Sequence, residues 1–195
     1  MTNLEKELEF SILLDSMKRI LRRTKHIGYD IYENDAEHSF HISAMAMVFH
    51  SYCKEKTDLG HTIKMLLIHD LVEIYAGDTF CYDVEANLDK SKRESEAAIK
   101  LFGMLPKDKG EMLHNLWIEF EKNETSESKF ANAMDRMQPL LNNIKNGGGT
   151  WKNENVQYSA VVKRMIPLAE FSQEIWEHLD EQIRIIFKEM GKEIN

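Results

Sequence analysis

Apolar residues recur at intervals of three and four along nearly the whole chain, the spacing that gathers them on one face of an α-helix. Phe10, Leu13, Leu14, Met17 and Leu21 predict a first helix over roughly residues 4–22. A polar stretch with Gly28 and the turn-prone run Glu33-Asn34-Asp35 follows. Asn34 or Asp35 suits the N-cap of a second helix reaching about Lys54, with Glu37 well placed in its first turn. That helix is expected to bury Ile42, Met45, Phe49 and Tyr52.

A third helix is predicted from about His61 to Ala76, stopped by Gly77, with Ile63, Leu66, Leu67 and Ile74 turned inward. Residues 77–90 hold no steady period and read as a loop. A fourth helix over about 91–105 carries Ala98, Leu101, Phe102 and Leu105. Pro106 suits the first turn of a fifth, which buries Leu113, Leu116, Trp117 and Phe120. A sixth, over about 126–146, buries Phe130, Met134, Met137, Leu141 and Ile144. The run Asn146-Gly147-Gly148-Gly149 breaks it and is the clearest flexible point. One or two helices follow, with Pro167 opening the last. The pattern predicts a single all-α domain: a helical core over residues 1–146 and C-terminal helices over 147–195 packed on it.

Composition narrows the class. The 195 residues are 43% apolar and 30% charged, as in an ordinary soluble domain, and three prolines and nine glycines leave helices largely uninterrupted. The longest apolar runs, such as Met65-Leu66-Leu67-Ile68, are too short to span a bilayer. The N-terminus lacks the basic-then-apolar pattern of a signal peptide, and Cys53 and Cys81 have no metal-ligand or redox spacing, so a cytoplasmic protein with reduced thiols is expected. A net charge of −8 argues against a nucleic-acid binder. It does not oppose a small anionic substrate, because one metal ion and one or two arginines reverse the field inside a pocket.

Several charged residues fall where apolar ones belong. His38 lies four residues before Ile42 and seven before Met45, on the same buried face. Asp70, beside His69, is in register with the apolar positions of the third helix, and Asp135 sits among the methionines of the sixth. A buried, unpaired carboxylate costs several kcal/mol, so each acid needs a partner. Two imidazoles and two carboxylates form a mixed nitrogen and oxygen set suited to Mn, Fe, Co, Ni, Zn or Mg, with positions left for water and substrate. Glu73, four residues after His69, and Asp78, just past Gly77, flank the pair and could accept a proton, hold a second cation or fix a sugar hydroxyl. Arg22, Arg23 and Lys25 read either as a cationic helix end or as a phosphate clamp, with arginine preferred for bidentate contacts.

The ordered set Glu37-His38-Ser39, His69-Asp70-Leu71-Val72-Glu73, Gly77-Asp78-Thr79 and Asp135-Arg136 resembles the HD superfamily of metal-dependent phosphohydrolases. It is similar in particular to the 5'-deoxynucleotidase branch, over about residues 10–145. The resemblance implies an all-α fold with a divalent metal on His38, His69, Asp70 and Asp135, and hydrolysis of nucleoside 5'-monophosphates by a homodimer. It further implies Glu73 as catalytic acid or base and Asp78 near the sugar, or both on a second cation. Thr79 joins Asp78 on the substrate side, and the phosphate-binding arginine falls best on Arg23. Bacterial members place a tryptophan after that arginine, where this chain has Thr24, which leaves deoxyribose selectivity open. Two other functions suit the scaffold. A di-iron oxygenase would need extra histidines between Asp70 and Asp135, where only His114 occurs. A non-catalytic nucleotide sensor or adaptor would have no need of the intact ligand set.

Overall fold

The computed structural model describes residues 1–194. Its regular structure is helical apart from one two-stranded antiparallel sheet. Helix α1 (Asn3–Leu13) opens on a capping box between Thr2 and Glu5. It stops well short of residue 22. A 3-10 turn over Leu14–Arg19 follows, and Leu21–Lys25 then form strand β1, paired with β2 (Tyr32–Asn34). Gly28, at φ +77°, supplies the left-handed residue at the hairpin's turn. The change from helix to strand replaces a period of 3.6 by a period of two. Arg22 and Thr24 therefore face inward, while Leu21 and Arg23 face out.

Helix α2 (Asp35–Phe49) starts at Asn34, whose side chain accepts the Glu37 amide while Glu37 accepts the Asn34 amide. Ile42, Met45 and Ala46 enter the core, but Tyr52 lies beyond the helix and is exposed. Helix α3 (Leu59–Ile68) begins at Asp58 and ends at the His69-Asp70 pair, and α4 (Glu73–Ala76) follows after residues 69–72. The single helix expected over 61–76 is thus interrupted at its most polar point. The amides of Leu71 and Glu73 bond carbonyls three residues back, a tighter winding than an α-helix. The buried face of α3 runs through Thr62, Met65, Leu66 and His69, which leaves Leu67 49% exposed on the other side, and Leu71, Val72 and Glu73 are buried after the interruption.

After the loop come α5 (Lys90–Phe102), α6 (Lys107–Lys122) and α7 (Ser126–Lys145), the last carrying Pro139 within it. Helix α7 is the axis of the fold and packs against α2, α3 and α6. Four helices follow rather than one or two: α8 (Gly149–Asn153), α9 (Tyr158–Arg164), α10 (Ile166–Phe171) and α11 (Gln173–Glu189). Pro167 opens α10, not the last helix. Helix α10 closes the fourth side of α7, and Trp151 and Phe187 meet at a tilt, with ring centroids 5.6 Å apart, in the same apolar core as Met134 and Leu66.

The triple-glycine run is fastened rather than loose. The Gly148 amide donates to the Asn143 carbonyl (2.9 Å) and the Thr150 amide to Asn143 Oδ1 (2.7 Å). Gly148 adopts φ +100°, and a Cβ there would meet Met190 Sδ. Gly148→Ala is expected to cost about 1–3 kcal/mol through backbone strain and displacement of Met190, read as a lower midpoint in urea unfolding.

Candidate metal centre

Three elements converge on one chamber. His38 arrives from the second turn of α2, His69 and Asp70 from the tightened turn after α3, and Asp135 from the middle of α7. His38 Nε2 lies 3.0 Å from Asp135 Oδ1; His69 Nε2 lies 3.7 Å from that oxygen and 3.1 Å from Asp70 Oδ2. The ligand atoms of His38, His69 and Asp135 lie within 4.8 Å of one another. The residues singled out by sequence therefore meet.

The far side of each ring explains its orientation. His69 Nδ1 donates to the Leu66 carbonyl at 2.8 Å, and since a carbonyl only accepts, that nitrogen carries hydrogen and Nε2 faces the carboxylates. His38 Nδ1 donates to Gln138 Oε1 at 2.9 Å. Gln138 is held in turn by donating from Nε2 to Glu33 Oε1 (2.6 Å) and His41 Nδ1 (3.2 Å). His69 Nε2 is buried without a hydrogen bond of its own, although two carboxylates flank it. An orphaned nitrogen among oxygens fits a shared divalent cation better than a paired proton.

A second acidic group adjoins the first. One carboxylate oxygen each from Asp35, Glu73 and Asp78 lies within 4.8 Å of the others. Arg22 bridges the two groups: its Nη1 donates to Asp70 Oδ2 at 2.7 Å and to Asp35 Oδ1 at 3.4 Å, and its Nε lies 3.7 Å from Glu33. Arg23, the residue favoured from sequence, is 61% exposed at the mouth and lies 4.0 Å from Glu154. Thr24 is buried and lines the chamber. Thr79 is buried there too, its hydroxyl accepting from Arg93 Nη2 at 3.0 Å. Arg93 also donates to the carbonyls of Ala76 and Ala86, so it pins both ends of the loop that carries Asp78 and Thr79.

Sequence reasoning missed Asp35 as a site residue because an acid at a helix start reads as a cap. Alternation within β1 was the signal that could have separated Arg22 from Arg23. The remaining histidines have local partners, such as His26 with Glu37, His61 with Glu119 and His114 against Phe102.

Charge and burial set the protonation. Asp35 is pushed up to about 7, by burial first and Asp70 second. Glu73 is raised well above the usual carboxylate range by burial and by Asp70, Asp35 and Asp78. Asp78 is raised by burial, against the pull of Arg22. For Asp70, burial is outweighed by His69 and Arg22, which hold it below its ordinary range; hydrogen bonds from His38 and His69 do the same for Asp135. His69 rises to about 10 because Asp70 and Asp135 outweigh its burial.

The HD-domain family model matches residues 14–176, and this chain belongs to that family. The crystal structure of a predicted metal-dependent phosphohydrolase from Magnetospirillum magnetotacticum superposes with a TM-score of 0.90 at 40% identity, covering 97% of this chain and 94% of that one. An HD-domain phosphohydrolase from Listeria innocua shares the fold, with a TM-score of 0.66 at 17% identity over 95% of this chain and 98% of its own. Human 5'-deoxynucleotidase HDDC2 is 28% identical over 136 residues, which are 69% of this chain and 65% of the human protein. The match thus spans just under two thirds of that relative's length.

Two outcomes follow from the geometry. Gln138→Leu is expected to weaken divalent-metal binding about 10–100-fold, measured by calorimetric titration, because His38 loses the group that aims it. The cation-free protein should also lose stability as pH rises. Asp35, Glu73, Asp78 and His69 all have raised pKa values, so the folded chain binds protons more tightly than the unfolded one. The carboxylate contribution is lost as pH climbs from about 4 through about 7, and the histidine contribution above about 6.5. Asp70 and Asp135 act oppositely, but only below about pH 4. Melting in a chelator should therefore give a lower midpoint at about pH 8 than at about pH 5.5, and added Mn should restore it.

Proposed function

We propose that this chain is a metal-dependent phosphomonoesterase that cleaves nucleoside 5'-monophosphates to nucleoside and phosphate. The observation that carries the reading is the buried group of His38, His69, Asp70 and Asp135, opening directly onto Glu73 and Asp78. The kinship to a human 5'-deoxynucleotidase and to a predicted metal-dependent phosphohydrolase supports it.

His38, His69, Asp70 and Asp135 would hold the divalent ion, which supplies Lewis-acid polarisation of a phosphate oxygen and an acidified water. Imidazole and carboxylate donors together accept Mn, Co, Ni, Fe, Zn or Mg. Glu73 is buried within the chamber, and its raised proton affinity suits it to take the proton from an attacking water and return it to the leaving oxygen. Asp78 and Thr79, on the pinned loop, face the leaving nucleoside, and Thr79 keeps its own hydroxyl proton to donate while accepting from Arg93. Arg23 stands at the mouth on the phosphate side. Asp35, Glu73 and Asp78 also offer three oxygens to a second cation, an arrangement in which Glu73 serves as ligand.

We read the working form as a cytoplasmic homodimer. Phe40, Met47 and Val48 are about two-thirds or more exposed on one side of α2, at helical spacing, and form an apolar stripe suited to a second copy. Among the described residues no helix is long and apolar enough to cross a membrane, and both cysteines are free. The net charge of −8 argues against nucleic acid and leaves a small anionic substrate open.

A phosphate-release screen over ribo- and deoxyribonucleoside 5'-monophosphates with Mn, Co, Ni and Mg tests the proposal. Release from nucleotides is expected to exceed release from simple phosphate esters. Asp70→Ala should lower turnover by about 1,000-fold or more with the helical circular dichroism retained. No release from any nucleotide with any of these metals would sink it.

A further inference from the structure

The chamber's charges are unevenly spent. Arg22 is 14% exposed and committed to Asp70, Asp35 and Glu33. Lys90 pairs with Glu94 at 3.4 Å. Besides Arg23, which is 61% exposed at the mouth, two other guanidiniums line the same space with no such commitment: Arg136, directly after Asp135 on α7, and Arg164, the last residue of α9. Arg136 donates one long bond, from Nη2 to the Asn132 amide oxygen at 3.3 Å, and its Nε is buried with no partner. Arg164 is 36% exposed, and its nearest carboxylate oxygen is Asp135 Oδ2 at 3.9 Å.

We infer that Arg136 and Arg164 form an anion subsite that clamps the phosphate group of the substrate beside the metal ligands. Asp135 fixes the position. Its Oδ1 faces His38 and His69 while its Oδ2 faces Arg164, so an anion held by Arg164 lies one carboxylate away from the metal set. Two guanidinium forks match the oxygens of a tetrahedral phosphate, and the anion held between them offsets their mutual repulsion. Arg22 cannot take this role without abandoning Asp70. The inference rests on reading the chamber as a phosphate-ester site, and it gives the chain after Gly147 a share in that site. Residues 149–164 form the wall that delivers Arg164, anchored where the Thr150 hydroxyl donates to the Arg23 carbonyl at 3.3 Å.

Calorimetric titration of inorganic phosphate into the full chain, metal-free and Mn-loaded, tests the clamp. Arg164→Ala and Arg136→Gln are each expected to weaken phosphate binding about 10–100-fold. Arg164→Lys should recover part of the loss, having the charge without the fork. Lys152→Ala, an exposed cation on the same segment but outside the chamber, should bind as wild type does. In nucleotide hydrolysis the Arg164→Ala loss should appear in KM at least as strongly as in kcat. Phosphate binding within about twofold of wild type in both arginine variants, with circular dichroism unchanged, would overturn the clamp, as would a wild-type chain that binds no phosphate. Arginine-dependent phosphate binding with no ester cleaved would support the clamp and count against the phosphomonoesterase reading alone.

Discussion

Six carboxylates, from Glu33, Asp35, Asp70, Glu73, Asp78 and Asp135, gather around one small chamber in the interior of a helical protein. Buried negative charge is tolerated only against positive charge at short range. His38, His69 and Arg22 supply it, and the position between the two histidines and Asp135 suits a divalent ion. Other features of the fold answer this constraint. The interruption between α3 and α4 turns His69 and Glu73 inward together. The β1–β2 hairpin exists at the point where Arg22 must reach Asp70. Gln138, in the core of α7, is a polar residue whose bonds to His38, Glu33 and His41 join the histidine to the hairpin.

The same constraint divides the chamber's cations by task. Arg22 acts as an internal counter-charge, held by the acids that would otherwise repel one another. Arg93 braces the loop of Asp78 and Thr79 from outside. Arg136 and Arg164 remain facing the open space, and the proposed chemistry needs positive charge there. An acidic protein can thus present a phosphate site, because the field inside a pocket depends on its few nearest charges rather than on the net charge.

Helix number and order through α7 were largely legible, because amphipathic spacing survives in sequence wherever one face is buried. Legibility failed at residues 21–34, where four polar or basic residues in a five-residue strand leave too brief an alternation to read. It failed again at Leu67, because in a run of four consecutive apolar residues, Met65 to Ile68, hydrophobicity alone does not say which one the helix turns to solvent. Arg23 was preferred to Arg22 for a related reason. In a helix the two differ little, but in a strand they face opposite sides.

By itself the sequence picked out His38, His69, Asp70 and Asp135 as polar residues standing where apolar ones belong. Polar residues on apolar helical faces are costly, and their positions relative to that face are a local property of the chain. Tertiary structure alone decided which charges complete the site. Asp35, Arg22 and Arg164 come from a helix start, a strand and a helix end far apart in sequence, and no periodicity relates them. They become neighbours only once α7 has packed against α2 and α3 and the chain after Gly147 has folded back across the chamber, because charges interact through space, not along the chain.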